Sequence, residues 1–460
     1  MALLVLLRAA LVAAIFFVRM SNGLNYGPVD TDQTKCFDDQ DEIDCPDAGD
    51  EFYGQDGSWE GNVPSYTDNG DDTVYDEVTG LTWTTVTDFD TRYTYDDGIA
   101  LVDDYNSDQY AGYSDWRVPT TKELYSLIRF SGLDPKSDDT STLTPFIDED
   151  YFPFEYGSGD YRTVDVQFIT QTVYTSSLLG TNDKEFFFGV NFADGRIKGY
   201  ETYLTREQFY VMLVRGNEQY GTNNFQEDGN GVTITDSNTG LTWVKSDSGE
   251  GLVWEDALLY CEELEVADYS DWRLPNAKEL HTLVNYSRSP DYTGSAAIDD
   301  RFEVTEITNE GGESDFPWYW SSTTHEWSAG DDVGGYAVYI PFGRAMGYYN
   351  DEWVDVHGAG CQRSDPKTGD PDDYPYGDPD APQGDAVRIY NYARCVRGQA
   401  TESTGDTSTS TTEDTDTNIE DTDTNIDSGT SSANRAWVVE RRFVSAAIAA
   451  MTMATLLIWL

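Results

Sequence analysis

The sequence predicts an α+β fold built twice within one chain of 460 residues. Three observations lead there. First, six landmarks recur in one order: TGLTW at 79–83 and 239–243, YSDWRVP at 113–119 and YSDWRLP at 269–275, PTTKEL at 119–124 and PNAKEL at 275–280, YTSS at 174–177 and YWSS at 319–322, GRIKGY at 195–200 and GRAMGY at 343–348, and VRG at 214–216 and 396–398. Self-similarity of this kind marks homologous units, here residues 57–218 and 222–400. Second, each copy holds two stretches with helical spacing. Third, short aromatic runs between Asp- and Gly-rich turns fill the remainder and read as strands.

Taken in order, YTDNGDDTVYDEVTGLTW (66–83) reads as a strand, a tight turn and a returning strand. VWEDALLYCEELE (253–265) places Ala257, Leu258, Cys261 and Leu264 on one helical face, with a counterpart at 95–105. The heptad then feeds a second helix, for which Thr120 with Glu123, and Asn276 with Glu279, have capping-box spacing. YVMLVRG (210–216) and YNYARCVRG (390–398) close the copies as last strands. Trp83, Trp243, Trp116 and Trp272 recur at matched positions and are expected in the core. Asp115 and Arg117, like Asp271 and Arg273, stand two apart on one face of an extended strand, as ion-pairing groups do. Arg196/Arg344 and Arg215/Arg397 also recur, either as internal ion pairs or as pockets for an acidic ligand. The offset between copies grows from 148 at the Gly-Arg pair to 182 at VRG, so copy two carries a 34-residue insertion, rich in Pro, Gly and Asp and expected to be an exposed loop.

The flanks read differently. Residues 1–23 are an apolar run with Arg8 near the front and small residues at the end, a secretory signal peptide. Residues 24–56 form a segment bracketed by cysteines. Residues 401–433, almost all Thr, Ser, Asp and Glu, cannot bury a core and read as a disordered stalk. Residues 434–460 end in a short apolar tail behind a cluster of small residues; this is the layout of a GPI-attachment signal with Ser431 as the lipid-anchor site, a membrane helix being the alternative. Asn285 opens an N-glycosylation sequon, Asn-Tyr-Ser. Together these features place the chain on the extracellular face of a membrane.

Eighty-five acidic against 28 basic residues give a formal charge of −57, which repels nucleic acid and anionic membranes. Ca²⁺ is the cofactor such acidity would attract, although no complete EF-hand loop is present, and the metal site is unknown. The five cysteines imply two disulfides and one free thiol. Cys261 and Cys395 align with Val102 and Leu213 of copy one, and the joint replacement predicts that they pair. Cys36 and Cys45 pair locally. Cys361 is left over, either as a free surface thiol or as a link to another chain.

With TGLTW, W-x-x-A-x-x-x-C, YSDWRLP-x-x-KEL, YWSST and RCVRG in this order, the chain resembles the Lcl (Legionella collagen-like) C-terminal domain family. The resemblance implies a C-type-lectin-like fold in each copy, a fold shared by lectins, adhesins and the formylglycine-generating enzyme. Catalysis is not expected. His281, His325 and His357 sit in no catalytic or zinc motif, and the cysteine pair of the formylglycine chemistry is missing. The expected function is recognition or adhesion with an extracellular carbohydrate or protein as partner, a ligand-free surface coat being the alternative. Aromatic residues unique to copy two are the ligand-binding candidates: Trp318, Trp327, Tyr349, Trp353, Tyr374 and Tyr376.

Overall fold

The computed structural model describes residues 26–402, except 87, 205–207, 331 and 380. The expected signal peptide, the stalk beyond Glu402, Ser431 and the terminal apolar segment lie outside the described residues. Among the described residues no helix is long and apolar enough to cross a membrane.

Strands carry the architecture. In copy one, Tyr66–Asp68, Thr73–Asp76, Leu81–Thr84 and Val214–Gly216 form one antiparallel sheet, with Val214 of VRG opposite Trp83 of TGLTW. Gln167–Phe168, Phe186–Asn191, Arg196–Glu201 and Phe209–Tyr210 form a second. Copy two repeats the first sheet as Phe225–Glu227, Thr233–Asp236, Thr242–Val244 and Val396–Arg397, with Val396 opposite Trp243. Its second sheet is Trp318–Thr324, Tyr336–Pro341 and Arg363–Pro366. The four sheets are arranged as the blades of a four-blade β-propeller, and only 13% of the fold is helical.

The expected C-type-lectin-like α+β fold is therefore corrected. Helices do occur where the spacing placed them: α1 (Tyr95–Ser107), α2 (Thr121–Tyr125), α3 (Trp254–Glu262) and α4 (Ala277–Thr282). They are short, however, and the sheets outweigh them. Several strands hid from a pattern search because both faces are covered. Every residue of Phe186–Asn191 and of Trp318–Thr324 is buried, so no polar alternation marks them. The insertion is corrected too: instead of an exposed loop throughout, it supplies the strand Arg363–Pro366, which pairs with Tyr336–Tyr339.

The repeated heptad works as a structural joint. Trp116 and Trp272 are buried, as are Trp83 and Trp243. Asp115 does not serve Arg117, its neighbour on the strand. It accepts two hydrogen bonds from Arg215 of VRG (2.7 and 3.1 Å), while Tyr113 stacks under that guanidinium at 3.7 Å. Asp271, Arg397 and Tyr269 repeat this arrangement. Arg117 instead reaches forward to Glu123 (2.7 and 2.5 Å), and Arg273 to Glu279 (2.6 and 2.5 Å). Those glutamates also close the capping boxes, each accepting from its N-cap backbone and placed by Thr120 or Asn276. One motif thus ties the last strand, the heptad and the second helix together.

The lysine of each KEL motif joins the two copies. Lys122 Nζ donates to Thr282 O at the end of α4 (2.8 Å), and Lys278 Nζ donates to Ser126 O just past α2 (2.9 Å). Ser126 and Thr282 are equivalent positions, as are Tyr125 and His281, whose rings lie 4.5 Å apart. Contacts in which i meets j and j meets i define a two-fold relation. An approximate two-fold therefore passes between α2 and α4. The core follows suit: Ala277, Ala297, Val338, Ala345 and Cys361 of copy two pack into the main cluster of copy one.

Residues 26–62 complete this unit. Cys36–Cys45 and Cys261–Cys395 are both disulfide-bonded. Trp59–Glu60 pairs with Thr401–Glu402. Cys361 is free but fully buried, so the reading of a surface thiol is corrected; burial pushes its pKa well above the usual thiol value.

Candidate functional site

A cleft of about 750 Å³ opens where the copies meet. Copy one contributes the heptad and cap residues Arg117, Thr120, Lys122 and Glu123, with Gln171 and Thr172 behind them. Copy two contributes Leu283 to Ser287, the segment directly after α4, and the Asp299–Arg301 pair. The connecting segment, from Glu218 to Gln226, forms the third wall. Local chemistry fixes each part. The capping box holds the first turn of α2, from which Lys122 reaches Thr282 O and Asn223 Oδ1. Asn285 N donates to Ala297 O, which turns the chain after α4 so that Tyr286 and Ser287 face the opening.

The lining mixes amides, hydroxyls, both signs of charge and two tyrosines. Lys122 Nζ also donates to Asn223 Oδ1 (3.1 Å), and burial pulls its pKa down to about 8. Tyr286 donates its hydroxyl to Gly360 O and meets His281 Nε2 at 2.7 Å; burial holds that imidazole well below its ordinary pKa, hence neutral. Arg301 chelates Asp299 through both carboxylate oxygens at 2.8 Å. Thr120 and Glu123 are engaged by the cap. The cleft offers hydrogen bonds and ring faces to a bound molecule, a recognition chemistry. Among the described residues no group of three or more His, Cys, Asp or Glu side chains converges to hold a metal ion.

The ligand candidates singled out from the sequence do not line this cleft. Trp318 is corrected outright. It is 1% exposed, stacked on Tyr339 at 4.5 Å with Arg388 over its face, and belongs to the core. Trp327 is half-buried under Lys136 Nζ at 3.7 Å. Trp353 and Tyr376 share a small aromatic face through Tyr348, at 5.3 and 5.0 Å, on the hairpin Met346–Tyr349/Glu352–Asp355. Tyr376 is 64% exposed there; Tyr349 lies on the other face of the hairpin, and Tyr374 is half-buried. Of the residues the sequence singles out, Arg117, Thr120, Glu123 and Asn285 line the cleft, the first three marked as structural and the last as a glycosylation acceptor.

The remaining marked residues are internal. Arg196 pairs with Asp134 (2.6 Å), and Arg344 with Asp291 (2.5 Å) and Asp315, so the ion-pair reading of both holds. His325 and His357 are buried; His325 Nε2 lies 3.0 Å from Asp194 O and His357 Nε2 3.0 Å from Asp385. Sequence reasoning missed Lys122, Tyr286, Ser287 and Arg301. One signal was present: a lysine kept in both copies at a position facing the core has to be satisfied by something across the junction.

A family model, that of the Lcl C-terminal domain, matches residues 72–215 and 232–357, more than half of the chain and both copies. No curated protein and no solved structure matches.

Proposed function

The chain belongs to the Lcl C-terminal domain family, which points to a surface or adhesion-type protein, and on that premise we propose that it acts by recognition, holding an extracellular ligand in the cleft between its two copies. The observation that carries the reading is the cleft itself: both copies line it, and its walls carry amide, hydroxyl and charged groups. Binding rather than catalysis fits the histidines, each engaged in internal packing. Display on the outer face of a membrane, through a lipid or helical anchor, is part of the same proposal. Its acidity suits a surface that stays soluble and rejects non-specific anionic partners.

The test is adhesion of the purified full chain to cultured cells, matrix proteins and a glycan array, compared with Arg301→Trp, which fills the cleft from an exposed position and leaves the Asn285 sequon intact. Saturable binding that the variant loses supports the reading. Silence on every surface, or binding the variant retains, favours a coat protein without a specific ligand.

A further inference from the structure

The approximate two-fold gives the cleft a mate, and the mate is full. The matching slot is formed by Arg273, Lys278 and Glu279 of copy two facing Arg129, Phe130 and Ser131 of copy one. Residues Asp30 to Gln33 pass through it as a tight turn, with Asp32 in the left-handed region (φ 65°) and Asp32 N donating to Asp30 Oδ1 (2.8 Å). Asp30 O accepts from Lys278 Nζ (2.9 Å). Thr31 O accepts from Phe130 N (2.7 Å), and Gln33 Nε2 donates back to Phe130 O (3.3 Å). The Asp32 carboxylate takes hydrogen bonds from Arg129 Nε (2.8 Å) and Ser131 Oγ (2.7 Å).

Each receiving group has its equivalent in the open cleft. Lys122 stands for Lys278, Tyr286 for Phe130, Ser287 for Ser131 and Asn285 for Arg129. The equivalents are not spent in the same way. Neither the N–H nor the C=O of Tyr286 has a hydrogen-bond partner among the described residues, and Lys122 makes do with the side chain of Asn223 where Lys278 has a main-chain carbonyl. Arg301 supplies, from the far wall, the guanidinium that Asn285 lacks.

Resting on the recognition reading above, we infer that the ligand is a polypeptide segment of a partner protein, hydrophilic and bearing a carboxylate. It binds as residues 30–33 bind in the mate. A main-chain carbonyl of the segment accepts from the Tyr286 N–H, a side-chain amide donates to the Tyr286 C=O, and the carboxylate meets Ser287 and Arg301, whose present partners are Asn285 (2.6 Å) and Asp299 (2.8 Å). Main-chain pairing to an unpaired backbone edge is a general mode of peptide capture.

The probe is the synthetic peptide Pro-Val-Asp-Thr-Asp-Gln-Thr-Lys, residues 28–35, fluorescently labelled and titrated into the full chain. The protein is treated first with an N-glycosidase, because Asn285 lies on the cleft wall. Saturable binding is expected, weakened at least tenfold in Ser287→Trp and severalfold in Arg301→Ala, both exposed positions whose variants are checked for unchanged unfolding midpoints. Hydrogen exchange adds a readout at the backbone: the peptide slows exchange at 284–287. No binding, or slowed exchange confined to 129–131 as the probe displaces the resident segment, overturns the inference. Glycan binding that Ser287→Trp abolishes, with no peptide binding, also overturns it while leaving the recognition reading intact.

Discussion

Replacing Arg273 by Met will destabilise the protein far more than replacing Arg117 by Met, although the two hold one place in the repeated motif. Both arginines clamp a capping-box glutamate with two short hydrogen bonds, and Met keeps most of the apolar stem. Their surroundings differ. The Arg273 side chain is 4% exposed and Glu279 is equally covered, with Trp59 and Gly398 closing over them. Arg117 is 25% exposed and borders the cleft. Removing Arg273 leaves the Glu279 carboxylate dry and unpaired beside Asp30 and Asp56, two further buried acids. Breaking a buried pair on one side costs about 3–5 kcal/mol. Removing Arg117 lets cleft water reach Glu123, so the loss falls to about 1–2 kcal/mol, the value of hydrogen bonds to a charge discounted for solvent. Urea unfolding followed by tryptophan fluorescence reads both variants, compared at equal slope. Equal losses, or a larger loss for Arg117→Met, would refute the claim that the two slots differ in water access.

Other outcomes follow from the same structure. Converting Cys261 and Cys395 to the Val and Leu of copy one keeps apolar packing but opens a loop of 134 residues; chain entropy sets the loss at about 5 kcal/mol at most, and a melting temperature that dithiothreitol and this variant leave unmoved would contradict the pairing. Burial lowers the Lys278 pKa to about 8, below its unfolded value, so the unfolded chain holds this proton more firmly between pH 8 and 10. Stability relative to Lys278→Met should therefore rise across that window, by up to about 3 kcal/mol, and a flat difference would count against a buried charged lysine. Cys361, covered and with a raised pKa, should react with a thiol reagent only after denaturation; fast labelling of the native chain would show the burial to be wrong.

Local chemistry was legible in the sequence and juxtaposition was not. The capping boxes at Thr120 and Asn276, the core tryptophans and the Cys261–Cys395 bond each depend on neighbours in sequence or on comparing the copies, and those signals survive in one chain. The partner of Asp115 was misjudged because Arg215 arrives from 100 residues away, whereas Arg117 is two residues away on the same strand face. Fold class failed for a related reason. Strands of two to four residues, or buried on both sides, leave no alternating pattern, while a short amphipathic helix such as α3 is conspicuous. The site is harder still. In sequence Arg117 reads as part of a structural joint, Lys122 as a helix residue and Asn285 as a sugar acceptor. Only the packing of α2 against α4 brings them to one opening.

The reciprocal lysines have a consequence for how the two slots could come to differ. A dimer of identical chains receives every substitution twice, so a change that suits one slot is imposed on the other. Here the halves are covalently linked, and their association needs no second molecule and does not fall apart on dilution. Lys122 and Lys278 can hold the halves together while Arg129 serves one slot and Asn285 the other. Fusion frees the halves to specialise, one keeping its own N-terminal segment as a permanent seal and the other standing open to the outside.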